Sequence, residues 1–149
     1  MEVIKTAHSV YWLQYHVVWV CKYRRRILNP GVCSYLRKLF PKLLRSMPGV
    51  ALETIGFDRD HLHMVMSIPP KYSIAAVMAK LKSQSASQLR KQYAWLKKVY
   101  WKENIVWSPG YFVSSVGVDE EIIKRYVEHQ GAQDSGQLRM QLSQKEPRL

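Results

Sequence analysis

The alternation of apolar and polar residues along the chain predicts four β-strands. Residues 11–20 are dense in aromatic and β-branched side chains, which is typical of a strand. Residues 50–57 and 61–68 predict two more strands, and the short turn Asp58-Arg59-Asp60 between them makes the pair an antiparallel hairpin. Residues 107–116 predict a fourth strand, and Pro109-Gly110 near its start indicates a sheet edge or a bulge.

Apolar residues at helical spacing predict two helices between these strands. The first follows a turn at Asn29-Pro30-Gly31 and extends to about Ser46, with a kink or a restart expected at Pro41. The second begins after Ser73, which is suited to be its N-cap, and extends to about Gln92. Residues 93–101 then predict a shorter helix or a turn.

A last helix is predicted from Asp119 to Gln130. Its first residues are acidic, and negative charge is favoured at a helix amino terminus by the helix dipole. Gly131 is expected to end it as a C-cap. Residues 132–149 are polar, and we expect them to be loosely ordered in isolation or to dock on a partner. We therefore divide the chain into one domain, residues 1–131, and a tail, residues 132–149.

The order of these elements predicts an α+β fold. The sequence β-α-β-β-α-β is that of the ferredoxin-like sandwich, in which helices cover one face of an antiparallel sheet and the other face is open. Here an extra helix follows at the carboxyl end. Modules that read RNA sequence use the same topology, so the fold by itself does not decide the function.

Composition excludes several classes of protein. The 149 residues are 47% apolar, enough for a core, yet no stretch approaches the roughly 20 apolar residues of a membrane span. The amino terminus lacks the pattern of a signal peptide, so we expect a cytoplasmic protein. Cys21 and Cys33 are too few for a disulfide framework or a zinc knuckle, and we interpret them as small, partly buried hydrophobic residues.

Charge indicates the class of partner. Lys and Arg total 23 against 11 acidic residues, for a net charge of +12, which favours nucleic acid over the alternatives of a membrane surface or no polyanion at all. The run Lys22-Tyr23-Arg24-Arg25-Arg26 combines phosphate-binding cations with an aromatic ring, although it could be only a solvated loop. A second basic and aromatic mixture lies in residues 95–102, where we expect the tryptophans to pack in the core.

Two histidines in the third predicted strand are candidate metal ligands. Residues two apart on a strand point to the same side, so Leu62, Met64 and Met66 form an apolar face while His61 and His63 share the opposite one. Two imidazoles at this spacing can hold one divalent metal ion. A purely structural role for the pair remains the alternative.

The last predicted helix carries a candidate nucleophile, Tyr126. Tyr126 and Gln130 are four residues apart and project from one helix face. Such a tyrosine is usually an amphipathic anchor, but beside a metal its phenol can act as a nucleophile if its pKa is lowered by the ion or by a cation such as Lys124 or Arg125. Gln130 could add an oxygen ligand to the same metal.

Four ordered segments give the chain a family resemblance. Residues 15–24 resemble the opening strand and basic turn of the single-tyrosine HUH transposases of the insertion sequence 200/605 group, and Asp60-His61-Leu62-His63 fits their HUH motif. Residues 107–117 resemble the last strand of that family, and residues 126–130 its nucleophile helix. The resemblance covers the chain from about Tyr15 to Gly131.

The resemblance implies an activity and a role for each motif. It implies a metal-dependent endonuclease and strand transferase in which Tyr126 attacks single-stranded DNA, leaving a 5′-phosphotyrosine and a free 3′-hydroxyl. His61, His63 and Gln130 would hold Mg²⁺ or Mn²⁺, and the basic run 22–26 would contact DNA. It also implies a homodimer, in which each tyrosine helix serves the histidine pair of the other subunit, and a DNA partner with hairpins near the element's ends.

Two alternatives and one departure accompany this hypothesis. A domesticated relative could use the same chemistry on repeated palindromic sequences. A non-catalytic RNA- or DNA-binding module could use the same fold, but it would be expected to carry stacking aromatics where this strand has histidines. His129 stands where the family often has asparagine; it could carry a proton or bind the metal, but we expect it at the surface.

Overall fold

The structure is a computed structural model. This structure describes the backbone of residues 4–5, 10–11, 13–101, 104–115 and 117–145, and the side chains of 13–101, 104–115 and 117–136. In chain order the strands and helices are β1 (Ile4–Lys5), β2 (Val10–Tyr11), β3 (Gln14–Val20), a 3-10 turn (Lys22–Arg24), α1 (Pro30–Leu44), β4 (Ala51–Phe57), β5 (His61–Ser67), α2 (Ile74–Gln92), α3 (Leu96–Val99), β6 (Phe112–Ser114) and α4 (Glu120–Lys145).

The main sheet has four antiparallel strands in the order β4-β5-β3-β6, and β1 and β2 form a separate two-stranded sheet. The two central strands, β3 and β5, pair along their whole length, with Val20 opposite His61 and Gln14 opposite Ser67. The predicted hairpin is confirmed as β4 and β5. With α1 and α2 as the crossovers, this is the predicted ferredoxin-like α+β fold.

Strand β6 is shorter than predicted and lies at the sheet edge, as Pro109-Gly110 indicated. Trp107 contributes only an isolated bridge to Cys21 before the strand begins at Phe112. The predicted last residue of the strand, Val116, lies outside the described residues.

Side-chain caps explain where α1 and α2 begin. The Asn29 side chain accepts a hydrogen bond of 2.9 Å from the Val32 amide, and Pro30 occupies the first helical position, where a missing N–H costs nothing. The predicted turn at residues 29–31 is therefore the start of the helix. Ser73 caps α2 as predicted, since its hydroxyl accepts from the Ala76 amide at 3.1 Å. Helix α1 continues through Pro41 without a restart.

The core lies between the sheet and the two helices α1 and α2. It includes the apolar face predicted for β5 together with alternate residues of β3 and the inner faces of the helices; among its fully buried members are Trp19, Phe40, Leu62, Met66 and Met78. The Trp19 ring packs edge-on against Phe40 and against Trp107, with ring centroids 5.8 and 5.7 Å apart. This packing leaves the histidine side of β5 facing away from α1 and α2.

The tryptophans of the second basic mixture do not join this core. Trp95 is 36% exposed and Trp101 is 72% exposed, so the prediction that they pack inside is wrong. Lys102, which belonged to the same mixture, lies outside the described residues. Cys21 is buried, Cys33 is partly buried, and both are free thiols, as expected.

Helix α4 covers part of the sheet face that was predicted to be open. It packs on β3 and on the 3-10 turn. Val18 and Val20, on the histidine side of β3, are fully buried, and Val127 of α4 is nearly so. The second face of the sheet therefore carries a small apolar layer of its own.

The predicted end of this helix at Gly131 is wrong, because α4 continues to Lys145. Gly131 is buried within it, and a Cβ there would lie 2.6 Å from Cγ of Arg24. The glycine thus makes room for the Arg24 side chain instead of ending the helix. Helix α4 crosses position 131 without interruption. The division into a domain, residues 1–131, and a tail, residues 132–149, stays a prediction.

No helix in the part of the chain that the structure describes is long and apolar enough to cross a membrane.

Candidate active site

The histidine pair lies on one face of a central strand, as the alternation predicted. His61 and His63 lie opposite Val20 and Val18 of β3, while the intervening Leu62 is fully buried on the other face. Because β5 is paired on both sides, its backbone is fixed along the length that carries the pair. Both imidazoles are therefore presented from a rigid element, as a metal site requires.

Gly56 makes room for the His63 ring. It is the β4 partner of His63, and a Cβ on it would lie 2.5 Å from Nε2 and 3.1 Å from Nδ1 of that ring. The separation from Nε2 is shorter than real Cβ contacts allow, so the imidazole occupies space that only glycine leaves. Gly56 was not predicted as a site residue from the sequence, although a glycine within a strand is itself a signal of close approach.

Asp60 orients His61. Its Oδ1 lies 2.8 Å from Nδ1 of His61, and its Oδ2 accepts a hydrogen bond of 3.2 Å from Nε of Arg24. Burial works to raise the pKa of Asp60, but the bonds to His61 and Arg24 outweigh it and hold that pKa below its usual range. The carboxylate engages Nδ1 and so directs Nε2 toward any ligand, the arrangement typical of metal-binding histidines.

The environment of His63 favours its neutral form. Burial lowers the pKa of His63, and the neighbouring His61 lowers it further, against a smaller opposite effect of Asp58. A metal binds the unprotonated imidazole nitrogen, so a lowered pKa suits a ligand.

A cleft of about 600 Å³ opens beside the pair. Its lining combines the histidine strand, the basic turn and one side of α4: Arg24, Arg26, Phe57, Asp58, Arg59, Asp60, His61, His63, Glu120, Ile123, Lys124, Val127 and Glu128. Within one chain, therefore, α4 faces the histidines with Glu120, Lys124 and Glu128. Tyr126 and Gln130 are not part of this lining.

Tyr126 packs against the sheet instead. Its ring lies 5.8 Å from that of Phe112, centroid to centroid, on the edge strand β6. Burial raises the pKa of Tyr126 to about 12, and the carboxylate of Asp134 adds to the rise. Arg125, one of the cations considered for lowering this pKa, is paired with Glu121 at 3.2 Å. In this position the phenol is held in its protonated form.

Gln130 belongs to a buried polar cluster around Asp134. Its side chain is nearly buried, and its Nε2 donates to Oδ1 of Asp134 at 3.5 Å. Asp134 also accepts from the Tyr23 amide at 3.0 Å, from the Ser108 hydroxyl, and from the Lys22 ammonium at 3.4 Å. This carboxylate ties α4 to the basic turn. It was missed in the sequence because it lies beyond the predicted helix end.

The five residues of the basic run have different surroundings. Lys22 is buried against Asp134, and Tyr23 is partly buried with φ of 59°. Arg24 is bound to Asp60 beside the cleft. Arg25 is exposed with its guanidinium 6.0 Å from the Tyr23 ring centroid, and Arg26 is exposed and lines the cleft. Arg24 and Arg26 thus present positive charge in the cleft that contains the histidine pair.

The described side chains of one chain could supply two of the ligands of a metal site. Among the side chains described, no three His, Cys, Asp or Glu residues are grouped so as to hold a metal ion. His61 and His63 fit such a role as two ligands, since the one is oriented by a carboxylate and the other has a lowered pKa. His129 is exposed, as expected.

Comparison with known proteins places the chain in a family. The model of the IS200-like transposase family matches residues 9–130, so the chain belongs to that family and is a transposase. It is 34% identical over 132 residues to the transposase for insertion sequence element IS200 of Salmonella typhimurium strain LT2, covering 86% of this chain and 83% of the relative. It is 30% identical over 131 residues to the ISDra2 transposase TnpA of Deinococcus radiodurans, covering 87% and 92%.

Solved structures agree with the fold. A Deinococcus radiodurans R1 protein assigned as a transposase superposes with a TM-score of 0.74 and 28% identity, covering 85% of this chain and 97% of the other. A REP-associated tyrosine transposase bound to a REP hairpin superposes with a TM-score of 0.50 and 14% identity, covering 83% and 68%. At that identity the second likeness concerns the fold alone.

Proposed function

We propose that this protein cleaves and rejoins single-stranded DNA at the ends of an insertion sequence, with Tyr126 as the nucleophile. The observation that carries the proposal is the histidine pair on one face of β5, with Asp60 bound to His61, in a cleft between the arginines of the basic turn and the helix that bears Tyr126. Membership of the IS200-like family supports the reaction class.

The chemistry is a transesterification that conserves the number of phosphoester bonds. The Tyr126 oxygen attacks a phosphodiester phosphorus and loses its proton, and a 5′-phosphotyrosine forms as the bond to the 3′ oxygen breaks. The departing oxygen takes up a proton and becomes a free 3′-hydroxyl. Rejoining is the same reaction in reverse with another 3′-hydroxyl, so no nucleotide energy source is required.

His61 and His63 would hold the Mg²⁺ or Mn²⁺ ion that this chemistry calls for, with Gln130 as the third protein ligand. A bound ion would supply electrostatic stabilisation of the charge that develops on the scissile phosphate. Asp60 would keep Nε2 of His61 aimed at it, and Arg24 and Arg26 would hold the DNA backbone at the mouth of the cleft.

The working site would be shared between two copies of the chain. Within one chain Tyr126 lies on Phe112 with a raised pKa, Gln130 is bonded to Asp134, and neither side chain lines the cleft that contains the histidines. Both residues are on the same helix, so a different placement of α4 would deliver them together. A homodimer in which α4 of one copy serves the histidine pair of the other meets this requirement.

The DNA partner would be a single strand carrying hairpins near the element's ends. The net charge of +12 and the exposed Arg25 and Arg26 support a polyanionic ligand. The REP-associated relative with a bound hairpin supports the folded-strand form, although only its fold is comparable. Identities of 34% and 30% to insertion-sequence transposases favour an insertion-sequence end over a repeated palindrome as the substrate.

The covalent adduct tests the nucleophile. A hairpin-bearing single strand should form a denaturation-resistant protein–DNA adduct only with a divalent metal, and Tyr126→Phe should abolish the adduct. His63→Ala should abolish it too, while most hairpin binding remains. An adduct that persists in the phenylalanine variant would assign the nucleophile to another residue.

Mixing the two inactive variants tests the shared site. If α4 serves the other copy, dimers that combine Tyr126→Phe with His63→Ala contain one complete site, so adduct formation should return on mixing. The labelled protein in the adduct should be the His63→Ala chain, since it alone carries Tyr126. If both variants form mixed dimers and no adduct appears, the site is assembled within one chain.

A further inference from the structure

Two exposed tryptophans flank the short helix α3. Trp95 precedes α3 and is 36% exposed, and Trp101 follows it and is 72% exposed. The other described tryptophans, Trp19 and Trp107, are buried in the core. Large exposed aromatic rings are depleted on monomer surfaces and commonly mark a binding surface.

The surroundings of these rings are basic. Residues 90–101, which include both rings, contain four Lys or Arg residues and no Asp or Glu, and Glu103 follows in the sequence. Lys97 and Lys98, both exposed, lie on α3 between the two tryptophans. A segment that combines exposed aromatic rings with exposed lysines is complementary to a polyanion that has stacking faces.

The segment that carries the rings is held in place from below. The Tyr93 ring packs between Tyr35 and Trp95, with centroids 5.8 and 6.0 Å away, and its hydroxyl donates to the Gly31 carbonyl at 3.1 Å. Leu96, the first residue of α3, is fully buried. The Trp95 ring therefore packs against Tyr93, which is itself held by Tyr35 and Gly31. A ring held in this way loses little conformational entropy when a ligand stacks on it.

The same segment adjoins the basic turn. The Tyr100 hydroxyl donates a hydrogen bond of 3.0 Å to the carbonyl of Lys22, which joins the end of α3 to the start of the run 22–26. Arg24 and Arg26 of that run line the cleft with the histidine pair. The segment that carries the two tryptophans is therefore joined by this hydrogen bond to the turn that borders the cleft.

We propose that Trp95, Lys97, Lys98 and Trp101 form a binding surface for unpaired DNA outside the catalytic cleft. Bases stack on the two indole rings and the lysines contact the intervening phosphates. The inference rests on the proposed function, because it takes single-stranded DNA as the substrate. It adds a second site that holds the strand flanking the cut, separate from the residues that perform the cleavage.

Unpaired DNA fits this surface better than a duplex or a protein does. A duplex stacks its bases on one another and offers phosphates but no free base face to an indole ring, whereas a single strand offers both. A protein partner would need many acidic groups to match this stretch. The tryptophans would contribute nothing to a purely electrostatic duplex contact, and that difference makes the proposal testable.

Affinity for two oligonucleotides tests the proposal. Binding is measured in a Tyr126→Phe background, so that cleavage does not disturb the equilibrium, to a hairpin alone and to the same hairpin with a single-stranded extension of roughly ten thymidines. Trp101→Ala should weaken binding of the extended oligonucleotide about 5-fold or more and leave the hairpin alone unaffected. Trp101→Phe should retain most of the affinity, because a smaller aromatic ring still stacks.

Charge variants supply the matched control. Lys97→Gln with Lys98→Gln should flatten the salt dependence of extended-strand binding by roughly 0.7 in log–log slope for each phosphate that the protein no longer neutralises. Lys38→Gln with Lys42→Gln removes the same charge from exposed positions on α1 and should leave that slope closer to wild type. Equal changes of slope in the two double variants would show a general charge effect and overturn the assignment.

Three results would contradict the proposal. Unchanged affinity of Trp101→Ala and Trp95→Ala for the extended strand would remove the rings from the DNA path. Equal weakening for the hairpin alone would make the surface a duplex contact. Loss of dimers in sedimentation velocity on either substitution would make it an interface between copies. If wild type forms the metal-dependent adduct while these variants bind normally, only this inference fails; if no adduct forms, the proposed function fails.

Discussion

Replacing Gly56 with alanine should damage the proposed metal site without substituting a proposed ligand. The Cβ of alanine would lie 2.5 Å from Nε2 of His63, and ordinary contact begins at 3.4 Å, so the imidazole must withdraw by about 1 Å or adopt another rotamer. The β4 backbone beneath it cannot yield easily, because Gly56 is paired with His63 along the hairpin.

The expected loss follows from how metal sites respond to displaced ligands. Disturbing the residues that orient a ligand typically lowers metal affinity or activity about 10- to 100-fold. A misplacement of about 1 Å near a reacting group can cost about 100-fold in rate. We therefore expect Gly56→Ala to lower the affinity for Mn²⁺ and the rate of adduct formation each by about 10-fold or more. Hairpin affinity should change little, since Gly56 is not among the basic residues.

The assay is Mn²⁺ titration calorimetry together with single-turnover adduct formation on a hairpin strand. Gly117→Ala is the matched control, because a Cβ there meets nothing within 4 Å. The unfolding midpoint of both variants shows whether Gly56→Ala remains folded. A folded Gly56→Ala protein with the Mn²⁺ affinity and adduct rate of wild type would refute the assignment of His63 as a ligand held by this packing.

Three further outcomes are expected. Asp134→Ala removes the carboxylate that is paired with the buried Lys22 and should lower the free energy of unfolding in urea by about 3 kcal/mol or more. The control Glu121→Ala breaks an exposed pair with Arg125 and should lower it by about 1 kcal/mol or less. Equal losses in the two variants would contradict the role of Asp134 in holding α4. The raised pKa of Tyr126 means that the folded state holds the phenol proton to higher pH than the unfolded state does. The stability that this proton contributes is present below pH 10 and is lost as pH rises through 12. Tyr126→Phe should not show this loss in an alkaline unfolding series, and a parallel decline in both proteins would contradict the prediction. Asp60→Asn should lower the Mn²⁺ affinity about 10-fold or more without changing the oligomeric state, and calorimetry that shows no change would remove Asp60 from the orientation of His61.

The sequence by itself determined those features that depend on the local geometry of the chain. The period of two in a strand is a property of the extended backbone, so the placement of His61 and His63 opposite Leu62 could be predicted before any fold was known. The Ser73 cap and the β4–β5 hairpin are equally local, since each involves residues only a few positions apart. The order of these elements then limited the sheet to one common topology.

Only the tertiary structure decided which residues far apart in the chain meet. Gly131 was predicted to end the helix because an isolated helix can stop at glycine. In the fold, the packing of Arg24 on Gly131 and the contacts of the buried Asp134 stabilise α4 beyond this position. The side of α4 that faces the cleft, the contact of Tyr126 with Phe112 and the exposure of Trp101 follow from the docking of whole elements. A local pattern determines which residues share one face of a strand or helix. Which other element packs against that face depends on contacts summed over the whole fold.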